Sequence, residues 1–261
     1  FKRGHIIRQQ DIEHMLRIGK QHVFVWEENA GEIHEDDCAR RMSAMAPVAG
    51  AHYTEPAEGK VLLIADQRGM FRVNRQLLDK INSIEDITIC TLPDHFPVET
   101  GDRLASMRIV PLVTREEQIR KAEDLCLEET LLDLRPYKKR KVGVVITGSE
   151  VYHGRIQDKF GAVVRAKMQH YPSEILGITL CEDCLEMIID AAREHLQNGA
   201  DLLIFTGGMS VDPDDLTPSA IRKLGAKIIT HGVPAQPGNM LLAAYLDHVP
   251  ILGIPSAAIK Q

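Results

Sequence analysis

Residues 202–220, LLIFTGGMSVDPDDLTPSA, gather the groups of this chain best placed to do chemistry. Asp212, Asp214 and Asp215 set three carboxylates within four positions, and Ser210 adds a hydroxyl beside them. Thr206, Gly207 and Gly208 come just before. Two glycines let a backbone turn sharply and leave no Cβ to keep a ligand away. A helix is expected next, capped by Asp215 or Thr217, with Pro218 in its first turn. A strand, a glycine turn and a helix start together take up phosphate, because unpaired N–H groups and the helix dipole point at the anion. Three carboxylates in the same turn would repel that anion unless a cation lay between them. The chemistry implied is an Mg²⁺-assisted site for a phosphorylated ligand. The same residues also read as a polar strand-to-helix connection with acidic caps.

Such a loop needs a sheet to hold it. Asp201-Leu-Leu-Ile-Phe carries no charge after its first residue, which suits a strand buried on both faces of a parallel sheet. From Lys141 the pattern is βαβ. Val142-Gly-Val-Val-Ile reads as a buried strand ending in Thr147-Gly148-Ser149-Glu150, and helices are expected over 160–171 and 184–197. Asp183 and Glu186 have capping-box spacing for the second. Strands are expected over 175–180 and 227–230, and a hairpin over 240–254 would give an open sheet with one antiparallel edge. Ligands of such sheets sit outside the carboxyl ends of the strands, where Thr147-Gly148 and Thr206-Gly207-Gly208 would both lie.

The preceding residues read differently. The pattern predicts a short amphipathic helix over 11–19, a strand over 22–26 and a helix over 33–46. Short strands between Gly, Asp and Pro turns over 54–114 suggest a β-rich unit serving as scaffold or interface, and 115–134 reads as helix up to Pro136. The expected division is 1–53, a helix-strand region; 54–136, a β-rich accessory domain with a linker helix; and 137–261, an α/β domain. Lys138-Lys-Arg-Lys141 reads as a solvated linker.

With 44% hydrophobic and 26% charged residues, the 261-residue chain has the composition of a soluble globular protein. No apolar run is long enough to span a membrane. The formal net charge of −6 argues against a nucleic-acid partner. Five cysteines and no visible signal peptide point to a reducing cytoplasm. The chain opens without Met and stops just after an apolar strand, so residues are expected to be missing at both ends. Cys181-Glu-Asp-Cys184 could form a redox or soft-metal pair, but reads better as two small residues beside a helix cap. The scattered histidines lack helical metal-site spacing.

Four motifs in order make residues 141–259 resemble the molybdopterin-binding domain shared by molybdopterin adenylyltransferases, molybdopterin molybdotransferases and the competence-damage-inducible family. Thr147-Gly148-Ser149-Glu150, with Gly154, Ile156 and Asp158, is similar to the family's first loop. Thr206-Gly207-Gly208-Met209-Ser210-Val211, with Asp215, Thr217 and Pro218, is similar to its glycine loop. Gln236-Pro237-Gly238-Asn239 resembles its "PGKP" loop, and Gly253-Ile254-Pro255, followed by Ser256, its "GLPG" strand end. The whole looks most like molybdotransferase-like binding proteins of bacteria.

The resemblance implies a three-layer α/β/α domain with a mostly parallel sheet, following a smaller α+β, β-rich region. It implies molybdopterin or its adenylate as ligand, with Mg²⁺ held by Asp212, Asp214 and Asp215. Asp158 and Asp215 would be the catalytic acids of molybdate insertion or adenylyl transfer. Thr147 to Glu150, Thr206 to Ser210, Pro237 to Asn239, Pro255 and Ser256 would line the ligand. A homo-oligomer, dimer or trimer, and a molybdoenzyme client are further implications. Ser149 stands where an acid is usual, Asn239 where the loop lysine would be, and Ser256 where a glycine is usual. Pterin binding is therefore implied more firmly than turnover, which leaves two alternatives: a carrier or sensor without turnover, and a nucleotide pyrophosphatase acting on ADP-ribose-type substrates.

Overall fold

The computed structural model describes residues 6–22, 29–210 and 212–259. Internal contacts divide the chain into Phe1–Pro136 and Tyr137–Gln261. The strand expected over 22–26 lies, from Val23 onward, outside the described residues.

The first unit begins with α1 (Gln9–Arg17), β1 (Glu32–His34), α2 (Glu35–Met45), β2 (Ala51–Tyr53), β3 (Lys60–Ala65), β4 (Gly69–Val73) and α3 (Arg75–Asn82). It continues with β5 (Ile87–Thr91), β6 (Phe96–Val98), β7 (Arg103–Ile109), β8 (Val113–Arg115), α4 (Glu116–Glu128) and β9 (Leu132–Pro136). Its larger sheets have the orders β2-β3-β7-β5 and β6-β4-β9. One apolar core runs from Cys38 and Met42 of α2 through Phe71 and Met107 to Leu134, so residues on both sides of position 53 pack together. Arg41 of α2 donates to Glu116 and Glu123 of α4 and ties the two helices.

The helix expected over 115–134 stops early. Glu129 turns to extended backbone. Leu132 and Leu134 then alternate inward as β9 pairs with β4. Their alternation has the period of a strand, and tertiary pairing decides the outcome.

Asp94 binds the end of β4. Its Oδ1 accepts from Val73 N at 3.0 Å, Arg72 Nε at 2.8 Å and His95 N at 2.9 Å. The Val73 amide and then Arg72 hold this carboxyl down at about 2. A folded-state value below the unfolded one contributes stability above the unfolded pKa, and that contribution is lost as pH falls through the folded pKa. The stability advantage over Asp94→Asn should therefore be complete above about pH 4 and vanish towards pH 2, read by urea unfolding across that range.

The second unit comprises β10 (Lys141–Thr147), α5 (Ser149–Tyr152), α6 (Phe160–Met168), β11 (Glu174–Cys181), α7 (Leu185–Gln197), β12 (Leu202–Thr206) and α8 (Thr217–Lys223). Then come β13 (Lys227–His231), β14 (Leu242–Leu246), β15 (Val249–Ile254) and α9 (Ser256–Ile259). The sheet order is β11-β10-β12-β15-β14-β13. β10, β11, β12 and β15 are parallel, and β14 is antiparallel to both its neighbours. The expected hairpin is present, but its antiparallel strand is not the edge: β13 lies outside it.

Separate apolar clusters cover the two faces. Val145, Leu203 and Phe205 point towards α7 and α8, and Val144, Ile146 and Ile204 towards α6. α7 turns Ile188, Ala191, Ala192 and His195 inward, at the spacing of an amphipathic helix. His195 rests over Gly143 and Gly177, and its Nε2 lies 3.1 Å from both Thr179 Oγ1 and Val144 O.

Candidate functional site at the carboxyl edge of the second sheet

Strands β10 and β12 end side by side, with Ile146 opposite Thr206. Thr147 and Gly207 therefore open two neighbouring loops. Gly207 has φ +88°, and a Cβ there would lie 2.0 Å from the carbonyl oxygen of Thr147. A Cβ on Gly208 would lie 2.9 Å from Thr217 Oγ1 and 3.0 Å from Thr147 Oγ1. The expectation that these glycines make room for a ligand is corrected here. The space beside each missing Cβ is filled by Thr147 and Thr217, so the glycines let the second loop press against the first.

Thr217 locks that join. Its buried hydroxyl donates to Gly207 O at 3.0 Å and lies 3.1 Å from Thr147 Oγ1. Thr217 is not the expected cap but the first residue of α8, and the capping position falls to Leu216, which makes no side-chain cap. Asp215 does not cap either: its amide donates to Asp212 O at 2.9 Å.

On the first loop, Gly148 takes φ +146° and α5 follows. Ser149 N and Ser149 Oγ donate to Asp183 Oδ2 at 2.9 and 3.0 Å. Asp183 has capping-box spacing, yet α7 has no side-chain cap. It braces the first loop, a role that spacing along the sequence misses. The available signal is an acid two residues beyond the carboxyl end of β11. Glu150 is exposed.

Asp158 serves its own helix. Its Oδ1 accepts from Phe160 N at 2.8 Å, and both its oxygens lie 3.2 Å from Gly161 N at the start of α6. Asp212 and Asp214 are exposed and Asp215 is half-buried. Among the described residues, no three His, Cys, Asp or Glu side chains are grouped to hold a metal ion. The protein alone thus offers Mg²⁺ no complete cage, and ligand oxygens would have to supply part of its shell.

The remaining expected residues divide between edge and core. Met209 is only 3% exposed and packs on Gly253 of β15, where a Cβ would lie 2.5 Å from its Cε. It belongs to the core and not to a ligand surface. Ser210 is exposed. The loop carrying Pro237, Gly238 and Asn239 joins β13 to β14 and reaches the same edge because β13 runs parallel to β15. Val233 N closes it on Asn239 O at 2.8 Å, leaving Pro237 and Asn239 exposed. Pro255 is buried and Ser256 begins α9.

Thr206 Oγ1 is fully buried at the end of β12 and has no hydrogen-bond partner among the described residues. Buried hydroxyls are normally paired, so this orphan calls for a partner from outside the chain or a water. Cys181 is buried as well. Burial, with the nearby Cys184 adding to it, pushes its thiol up to about 11, which keeps it protonated and unreactive at neutral pH.

Residues 143–259 match the family model described as "Probable molybdopterin binding domain". That span lies within the second unit. Residues 1–27 match a separate domain of unknown function. Curated relatives also match this chain in part. A CinA-like protein of Mycobacterium tuberculosis is 32% identical over 83 residues, covering 32% of this chain and 19% of that protein. The molybdopterin molybdenumtransferase of Staphylococcus epidermidis is 28% identical over 134 residues, covering 48% of this chain and 32% of that protein. The chain thus spans a third or less of these relatives. Among solved structures, the molybdopterin biosynthesis enzyme MoaB of Thermus thermophilus aligns at 23% identity and a TM-score of 0.40, over 46% of this chain and 82% of that one.

Proposed function

We propose that the second unit binds molybdopterin or its adenylated form and acts in molybdenum-cofactor biosynthesis. The observation that carries this reading is the family match, whose span 143–259 includes the paired loops at Thr147 and Gly207 with the orphan Thr206 hydroxyl beside them. The backbone from Gly207 to Ser210 cradles the ligand's phosphate, next to a helix start that favours negative charge. Asp212, Asp214 and Asp215 would hold Mg²⁺, whose charge would offset that of the phosphate. The reaction is adenylyl transfer onto the pterin phosphate, or molybdate insertion with hydrolysis of the adenylate. The protein works in the cytoplasm as a homo-oligomer, dimer or trimer, and passes its product to a molybdoenzyme. Free thiols at all five cysteines support the location.

Two observations favour a second reading, a carrier without turnover. Asp158 spends its carboxylate on the start of α6, and Asn239 brings no charge to the edge. Calorimetric titration with molybdopterin and its adenylate, with and without Mg²⁺, tests both readings. The expected result is micromolar binding of a phosphorylated pterin, followed by product on adding ATP or molybdate, with turnover lost in Asp215→Ala. Binding without product makes the protein a carrier. No binding of either form ends the pterin reading.

A further inference from the structure

The first unit holds a groove that the proposed pterin chemistry does not use. It measures about 640 Å³ and lies over one face of the β6-β4-β9 sheet, against the start of α3. That volume falls within the range of small-molecule sites. Phe71, Val73, Leu132 and Leu134 turn to the core, so their alternates Arg72, Asp133 and Arg135 turn to the groove. Arg75 joins them from the first residue of α3.

The two carboxylates present leave the three guanidiniums one net positive charge and aim two of them. Asp94 Oδ1 already accepts from Val73 N and His95 N as well as from Arg72 Nε, and its Oδ2 lies 2.9 Å from His95 Nδ1. Asp133 Oδ2 accepts from Arg135 Nε at 2.8 Å. Each arginine is thus held through one nitrogen, and its two terminal nitrogens carry no hydrogen bond among the described residues. Arg75 is exposed and forms no ion pair among the described residues. A guanidinium fixed on one edge presents its other edge as a ready pair of donors for an oxyanion.

We propose that this groove binds a small molecule bearing two or more linked phosphates. Three guanidiniums around one groove match a polyphosphate better than a single anion, and every residue lining it belongs to the first unit.

The test is calorimetric titration of the full chain with inorganic tripolyphosphate at low salt. Arg75→Gln breaks no ion pair among the described residues and should preserve the melting temperature. Binding is expected to weaken about tenfold in Arg75→Gln and further in Arg75→Gln/Arg135→Gln. The arginine Nε–Hε signals of Arg72 and Arg135 should shift as tripolyphosphate is added to the unmodified chain. Equal affinity in the unmodified chain and the double variant overturns the proposal, as does the absence of binding heat.

Discussion

Gly207→Ala should destabilise the second unit by about 2–5 kcal/mol, one of the largest effects expected from a single added methyl group in this protein. About 1–2 kcal/mol comes from placing an alanine in a left-handed conformation, and about 1–3 kcal/mol from overpacking. The overpacking cannot relax by side-chain rotation, because the atom 2.0 Å away is the Thr147 carbonyl oxygen in the backbone of a buried strand end. Gly199 provides the control. It has the same φ of +88°, but no atom lies within 4 Å of where its Cβ would stand. Urea unfolding of the two alanine variants separates conformational strain from contact. A Gly207→Ala cost no greater than that of Gly199→Ala would mean that the loops are not in the close contact described. A true join also predicts that ligand binding at the carboxyl edge fails in Gly207→Ala and survives in Gly199→Ala.

The second large effect lies in the body of the sheet. A Cβ on Gly143 would come 2.5 Å from His195 Cβ and 2.6 Å from its Cγ. These atoms are fixed to α7, so β10 or α7 must move, and Gly143→Ala should cost about 2–3 kcal/mol. His195→Ala should also destabilise, by leaving a void and removing the ring nitrogen from Val144 O and Thr179 Oγ1. The double variant decides the cause. If the imidazole is what the methyl group strikes, the double variant is less destabilised than the sum of the two single changes, by about 1 kcal/mol or more. Alanine keeps the His195 Cβ, which would lie 2.5 Å from the added methyl group, so strict additivity in urea unfolding would place the clash on that atom, and unchanged stability in Gly143→Ala would refute it.

Much of the second unit was legible because its strands are continuous apolar runs. Val142 to Ile146 and Leu202 to Phe205 have no polar residue to confuse their burial, and Pro218 marks a helix start on its own. The first unit was less so. Leu132 and Leu134 fit the tail of a helix as well as a strand, and only pairing with β4 separates the two.

The site shows the same limit on a smaller scale. Asp158, Asp183 and Asp215 all stand near helix starts, where an acid can cap, brace a neighbour or meet a ligand. Asp158 caps, Asp183 braces Ser149 of another loop, and Asp215 does neither. The bond to Ser149 spans 34 positions, so no local pattern reveals it. Likewise Thr206, Gly207 and Gly208 mark a turn in any sequence, but what the turn presses against depends on which strand lies beside it.

The hydroxyl of Thr217 has a thermodynamic consequence. By joining Gly207 O to Thr147 Oγ1, it makes the two loops one body before anything arrives. A ligand settling between free loops must first arrest them, and each ordered residue costs about 1–2 kcal/mol of conformational entropy. Here folding has already met that cost around Thr147, Gly207 and Thr217, so more of the contact energy at this edge is left to appear as affinity.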